Sequence, residues 1–149
     1  MPDRYISATE HKLKATLAGD IMSRLPITVN EEMPLADAAH YLTKFRISGI
    51  PVVSAKGGLI GMLTLTDFLD LFKKILKDVE KKKDPAPKLN AKVKAVMSRV
   101  VYSIREDQTL YDAMRLMDKR NIHTLPVMRE ERMVGVIGRR DVLHEIYRA

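Results

Sequence analysis

Two stretches of this chain combine residue types that could hold an anionic sugar: Gly61-Met62-Leu63-Thr64-Leu65-Thr66-Asp67 and Gly135-Val136-Ile137-Gly138-Arg139-Arg140-Asp141. Each leads from an apolar, strand-like segment through a hydroxyl or a bare backbone to a carboxylate near an expected helix start. Helix N-terminal N–H groups and the helix dipole favour phosphate. An Asp can accept both hydroxyls of a ribose in a paired geometry. The same residues also have an ordinary structural use, because Thr and Asp are common helix caps. Spacing alone leaves both uses open.

Little else in the chain has the reach of a catalyst. His11, His40, His123 and His144 show no metal-ligand spacing, and there is no Gly-x-Ser-x-Gly or phosphate-loop pattern. The chain has no Cys, which excludes disulfides, thiolate metal sites and Cys nucleophiles. His144-Glu145 reads as a surface pair on an apolar-faced helix. We therefore expect no enzyme activity, no catalytic residue and no metal.

The elements that must position these residues are written twice. Ile21-Met22-Ser23-Arg24 aligns with Val96-Met97-Ser98-Arg99 at an offset of 97 − 22 = 75. At that offset Leu35 falls on Leu110, Asp37 on Asp112, Ala38 on Ala113, Ile47 on Ile122 and Pro51 on Pro126. One residue is lost in a turn, and the offset becomes 141 − 67 = 74, matching Gly61 to Gly135 and Leu69 to Leu143. Each copy reads as a short strand (Ile27-Thr28-Val29; Tyr102-Ser103-Ile104) and then a helix with an apolar stripe (Leu35, Ala38, Leu42, Phe45; Leu110, Ala113, Met114, Met117). Pro34 suits the first helical position of copy one. A hairpin follows, with turns at Ala55 to Gly58 and Arg129 to Arg132, and a second helix starts near Asp67 and near Asp141. A repeat of this length has a thin core alone. Apolar faces on sheet and helices argue that the copies pack about a pseudo-two-fold.

Length, 149 residues, and hydrophobic content, 46%, fit a globular protein. The formal charge is +7, and nine of the lysines lie between Lys73 and Lys94. That stretch reads as a solvated helix end plus a helix-breaking linker, Lys81 to Pro87. The divisions are an N-terminal extension, 1–18, with a short helix around Leu13 and Leu17; a first repeat, 19–76; a Lys/Pro linker, 77–92; and a second repeat, 93–149. No stretch approaches the ~18 apolar residues of a membrane span, and no signal peptide is evident, so a cytoplasmic location is the default.

The order β-α-β-β-α, the Met-Ser lead-in, the Ile-x-x-Ile/Leu-Pro-Val hairpin and the Gly-x-x-Thr-x-x-Asp junction resemble CBS domains. These usually occur in pairs, called Bateman modules, and the resemblance covers Gly19 to Tyr147 apart from the linker. It implies an α/β (α+β) fold of two tandem repeats that binds an adenosyl ligand such as AMP, ADP, ATP or S-adenosylmethionine in clefts between the repeats. It further implies that Asp67 and Asp141 hold ribose hydroxyls and that Thr64 holds a phosphate. One cleft would join Thr64, Thr66 and Asp67 to Ser103, Ile104, Ile122 and His123. The other would join Arg139, Arg140 and Asp141 to Thr28, Val29, Ile47, Ser48 and Gly49. His123 matches a phosphate-facing His in regulatory subunits of AMP-activated kinases, which this segment resembles, and Arg140 is similar to the Arg of the family's Arg-Asp pair. Gly138 departs from the family's Thr or Ser, which leaves the Asp67 cleft the better equipped.

The expected function is thus a regulatory module without a catalytic cofactor, a homodimer through its helices, acting on an unidentified protein. Two alternatives stand beside it: a dimerising scaffold with vestigial clefts, and a basic protein associated with nucleic acid. The second is disfavoured by the lack of a helix-turn-helix pattern and of aromatic stacking platforms.

Overall fold

The computed structural model describes residues 2–24 and 26–148, with side chains from residue 8 onward. Met1 and Ala149, the outer limits of the expected divisions, and Leu25 lie outside the described residues. The chain divides into two compact units: Ile27–Val101, and a unit built from Met1–Pro26 together with Tyr102–Ala149. Each holds one three-stranded sheet and repeats the same β-α-β-β-α order, an α/β fold of tandem repeats.

In the contiguous unit, β1 (Val29–Asn30) pairs in parallel with β2 (Gly49–Val53), which pairs antiparallel with β3 (Leu59–Thr64). The parallel step requires a crossover, supplied by the helix Leu35–Lys44. Pro34 caps this helix and is not its first residue, as the sequence had suggested. Pro51 is tolerated inside β2 because β1 reaches only Val52 and Val53, so the strand is an edge on that side at Pro51. The helix Leu65–Glu80 follows β3, and its Phe68, Leu71 and Ile75 pack on the core.

The second unit repeats this plan with β4 (Ile104–Arg105), the helix Leu110–Arg120, β5 (Thr124–Arg129), β6 (Arg132–Gly138) and the helix Arg139–Tyr147. Its hairpin turn is tighter than expected, with only Glu130 and Glu131 between the strands. The cores match position for position: Val29, Leu35, Ala38, Ile50, Val52 and Leu63 in one, Ile104, Leu110, Ala113, Leu125, Val127 and Ile137 in the other.

Numbering the helices in chain order gives α1 (Pro2–Ala15), α2 (Ala18–Ile21), α3 (Leu35–Lys44), α4 (Leu65–Glu80), α5 (Ala86–Leu89), α6 (Leu110–Arg120) and α7 (Arg139–Tyr147). The opening residues of each repeat pack with the rest of the other repeat. Ala18 and Gly19 donate to the carbonyls of Gln108 and Glu106, and Ser23 bridges Val136. Likewise Val93 and Lys94 donate to Met33 and Glu31, and Ser98 bridges Met62. Met22 and Met97 fill the space over Gly135 and Gly61, where an added Cβ would lie 2.7 Å from the Ser23 and Ser98 carbonyl oxygens respectively.

Three further expectations are corrected. The N-terminal helix is long, ending at Ala15, with Leu17 heading the separate α2. Lys12 Nζ donates to the carbonyls of Glu145, Ile146 and Arg148, which satisfies orphan acceptors at the C-terminal end of α7. The Lys/Pro linker is not helix-free. Helix α4 continues to Glu80, and Pro87 sits in the first turn of α5, where its missing N–H is not needed. Several lysines of the basic stretch are engaged: Lys88 pairs with Asp78, and Lys92 and Lys94 both hold Glu32. Finally, Glu145 is buried at 7% exposure and bonded to Arg148, although its neighbour His144 is exposed.

No helix among the described residues is long and apolar enough to cross a membrane. Helix α4 nevertheless carries a second apolar stripe, Leu65, Leu69, Phe72, Leu76 and Val79, which faces away from the core. Leu69 is 59% and Leu76 58% exposed.

Candidate functional site

The strand-to-helix junction of the first unit is a closed capping box. Helix α4 starts at Leu65, so Thr64 is the N-cap and Asp67 the third helical residue; the sequence had placed the start near Asp67 itself. The Asp67 N–H donates to Thr64 Oγ1 at 3.3 Å, and the Thr64 N–H donates to Asp67 Oδ2 at 2.8 Å. The Thr64 hydroxyl donates to the same Oδ2 at 3.2 Å. Both bonds to the carboxylate arrive at Oδ2, and Oδ1 takes no part in the cap. Burial raises the Asp67 pKa above the ordinary aspartate value, outweighing the lowering effect of the two Thr64 bonds, with Asp70 adding to the rise. A half-buried carboxylate with one oxygen anchored can accept donors at the other.

The second junction is half of the same device. Helix α7 starts at Arg139, and the Gly138 N–H donates to Asp141 Oδ2 at 2.7 Å. With no side chain at Gly138, nothing there accepts from the Asp141 N–H. The geometry shows that the cap uses one carboxylate oxygen and leaves the other out.

Each unit gathers its own candidates at one end of its sheet. In the first, Gly49 pairs with Thr64 across the hairpin, and the Leu65 N–H donates to the Ser48 carbonyl at 3.0 Å. That brings Ser48 and Gly49 beside Thr64, Thr66 and Asp67. Val29, preceded by Thr28, opens the parallel neighbour strand in register with Val52, and Ile47 packs on the core. In the second, Thr124 pairs with Gly138, and the Arg139 N–H donates to the His123 carbonyl at 3.2 Å. His123 is thereby set beside Arg139, Arg140 and Asp141. Ser103 and Ile104 lead into β4, and Ile122 packs on the core.

The two ends differ in charge. The first offers hydroxyls and a carboxylate, which suit a ribose. The second offers His123, Arg139 and Arg140, all exposed, which suit phosphate. Sequence reasoning missed Tyr102, whose ring lies 4.7 Å from the Arg120 guanidinium; no spacing signal pairs those two residues. No group of three or more His, Cys, Asp or Glu that could hold a metal ion occurs among the described residues.

The chain matches the CBS domain family twice, over residues 18–74 and 93–148. It is 33% identical over 153 residues to the uncharacterized protein MJ1426 of Methanocaldococcus jannaschii, covering 87% of this chain and 90% of that one. Among solved structures it is similar to the CBS domain pair of protein MJ0100 in complex with 5′-methylthioadenosine and S-adenosyl-L-methionine. The identity is 29% and the TM-score 0.67, over 87% of this chain and 94% of that chain. It is also similar to protein MJ1225 of Methanocaldococcus jannaschii, proposed as an archaeal homolog of γ-AMPK, at 26% identity and a TM-score of 0.80. That likeness covers 95% of this chain but 51% of MJ1225. Two family matches in one chain, each with its own sheet and capped junction, establish that the chain belongs to the CBS domain family, as a CBS pair or Bateman module.

Proposed function

We propose that this CBS pair is a regulatory module that binds an adenosyl ligand and passes the bound state to a partner protein without catalysing a reaction. The ligand is an adenine nucleotide (AMP, ADP or ATP) or S-adenosylmethionine. The observation that carries the reading is Asp67, whose Oδ2 is fixed by Thr64 while Oδ1 stays out of the cap. Asp67 and Asp141 accept ribose hydroxyls, while Thr64, His123 and Arg140 face phosphate. The remaining contacts come from the residues that the family pattern assigns to each cleft. Support comes from the adenosyl ligands in the solved MJ0100 pair, which is similar over most of its length. The module acts as a homodimer, a reading supported by the uncovered stripe of α4.

A thermal-shift screen of AMP, ADP, ATP, S-adenosylmethionine and NAD tests this directly. A ligand present at about 100 times its Kd adds roughly 2.7 kcal/mol of stability, enough to raise the melting temperature by several degrees. At least one adenosyl ligand should do so. A uniformly flat screen at saturating concentrations would favour a dimerising scaffold with vestigial clefts.

A further inference from the structure

We infer that a cavity on the second unit is a binding site for a small organic anion, one phosphate or carboxylate group on a compact apolar body. The cavity has a volume of about 280 Å³ and lies between β4 and α6. That is close to the lower end of small-molecule pockets. Buried Ile104 and half-buried Leu116 supply apolar lining, and exposed Ser103, Arg115 and Lys119 stand at its mouth.

The charge at that mouth is unbalanced. Arg115 and Lys119 are one helical turn apart on α6, where like charges repel. Neither forms an ion pair among the described residues, whereas Lys88, Lys92, Lys94, Arg105, Arg129 and Arg148 all do. The Arg115 guanidinium rests over the Tyr111 ring, 5.8 Å from its centroid, and so keeps its donors available. The lining also holds one carboxylate, Asp112, whose Oδ2 accepts from the Thr109 N–H at 3.2 Å in the α6 cap, so Arg115 and Lys119 outnumber it by one positive charge (2 − 1 = 1). Gln108 accepts from the Arg105 N–H through Oε1, leaving its amide NH2 as a donor. Two cations, an amide and a hydroxyl around an apolar patch match an anion with an apolar body better than a neutral solute or a bare ion.

The internal repeat offers a control. At the offset of 75, Gln108, Arg115, Leu116 and Lys119 correspond to Met33, His40, Tyr41 and Lys44. In the first unit Tyr41 stacks on Phe45, and Lys44 lies 5.5 Å from the Phe45 ring centroid, so that cation already has a partner. The anion-binding set is a property of copy two alone. The inference does not depend on the adenosyl reading, although the cavity shares Ser103 and Ile104 with the residues assigned to that ligand.

The test is a titration of the isotopically labelled full chain, following the backbone amide signals of Ser103, Gln108, Arg115 and Lys119. The probes are phenyl phosphate, benzoate and, as the uncharged comparison, phenol. At least one anion should give saturable shifts with a Kd tighter than about 1 mM. Replacing both cations, Arg115→Gln with Lys119→Gln, should weaken it about tenfold or more, and Lys44→Gln should leave it unchanged. Both replaced side chains are exposed, so an unchanged melting temperature will certify the fold. Whether phosphate or carboxylate is preferred follows from the first two probes. The site is overturned if neither anion saturates, if phenol binds as well as they do, or if the double replacement has no effect. Asp67→Asn should leave phenyl phosphate binding intact, so failure of the adenosyl reading and failure of this one are separately visible.

Discussion

Met62 and Ser98 exchange two backbone hydrogen bonds, each at 2.9 Å, although one lies in the first sequence repeat and the other leads into the second. The exchange needs the chain to approach β3 closely at Gly61, where a Cβ would meet the Ser98 carbonyl oxygen at 2.7 Å and Met97 Sδ at 2.9 Å. Gly61→Ala should therefore destabilise the protein by about 1–3 kcal/mol, and Gly135→Ala by a similar amount. Urea unfolding would register this as a lower midpoint with an unchanged slope.

Removing the hydroxyl of the first capping box should also be costly. Thr64→Ala loses the acceptor for the Asp67 N–H and should destabilise by about 0.5–2 kcal/mol, while Thr64→Ser should be nearly neutral. Copy two permits the reverse experiment. A Cβ at Gly138 would have nothing nearer than Asp141 Oδ2 at 3.8 Å, so Gly138→Ser fits. It should stabilise by a few tenths of a kcal/mol, measured as a rise in melting temperature.

The raised pKa of Asp67 gives opposite signs for folding and for binding. Because its folded pKa lies above the ordinary value of 3.8, the folded protein holds this proton to higher pH than the unfolded chain does. The associated stability is present below pH 3.8 and is lost as pH rises through the folded pKa. Ribose hydroxyls need the ionised form as acceptor, so affinity should rise over the same window. Calorimetric titration with the best ligand of the screen, repeated down the acid range, should show affinity falling at a pH above 3.8. Asp67→Asn should remove that dependence and weaken binding by roughly ten- to a hundredfold. Asp141→Asn should have the smaller effect on the tightest site.

At the end of α3, Arg46 adopts φ 52°, a left-handed conformation that side chains other than Asn and Gly tolerate poorly. Its counterpart in copy two, Asn121, ends α6 at the same φ. Arg46→Asn should stabilise by about 0.5–1 kcal/mol, read by thermal or urea unfolding.

The α4 stripe makes a prediction about assembly. Leu69→Glu with Leu76→Glu places two charges on the most exposed part of this apolar face, so folding should survive. If that face is buried between two copies, the wild-type chain sediments as a dimer and the variant as a monomer. Identical sedimentation of the two would remove the stripe from the interface.

The repeat was the most legible feature, because a core built twice from the same plan leaves Leu35 on Leu110 and Ala38 on Ala113 in a fixed register. Helix starts were less so. Thr64 and Asp67 are both good capping residues, and only the hydrogen bonds show which is the N-cap. The lysines after Lys73 were legible as a helix end running into a linker, and only the boundary fell short, since α4 runs to Glu80, past the expected limit at 76. Which sheet receives Met97-Ser98 could not be read at all, since similarity between copies does not say whose edge a segment joins. The burial of Glu145 was not legible for a related reason: the segment that packs on it is far away in the chain, as the bond from Lys12 to its carbonyl shows. The hairpin register within each unit sets Ser48 beside Thr64 and His123 beside Arg139, neighbours that the sequence did not offer, since the expected clefts joined Thr64 with His123 and Arg139 with Ser48.

The division of the chain at Pro26 and Val101 also sets an order of events during synthesis. Everything in the contiguous unit has left the ribosome once the chain has emerged through Val101, so its core can close while translation continues. The other unit has one part made before the contiguous unit and the remainder made after it. The lead-in residues Ala18 and Met22 must wait, with their apolar side chains unsheltered, until β6 and Gly135 exist to receive them. A nascent chain stalled in the linker would therefore lack both the Met97 lead-in that completes one core and the entire sheet that completes the other.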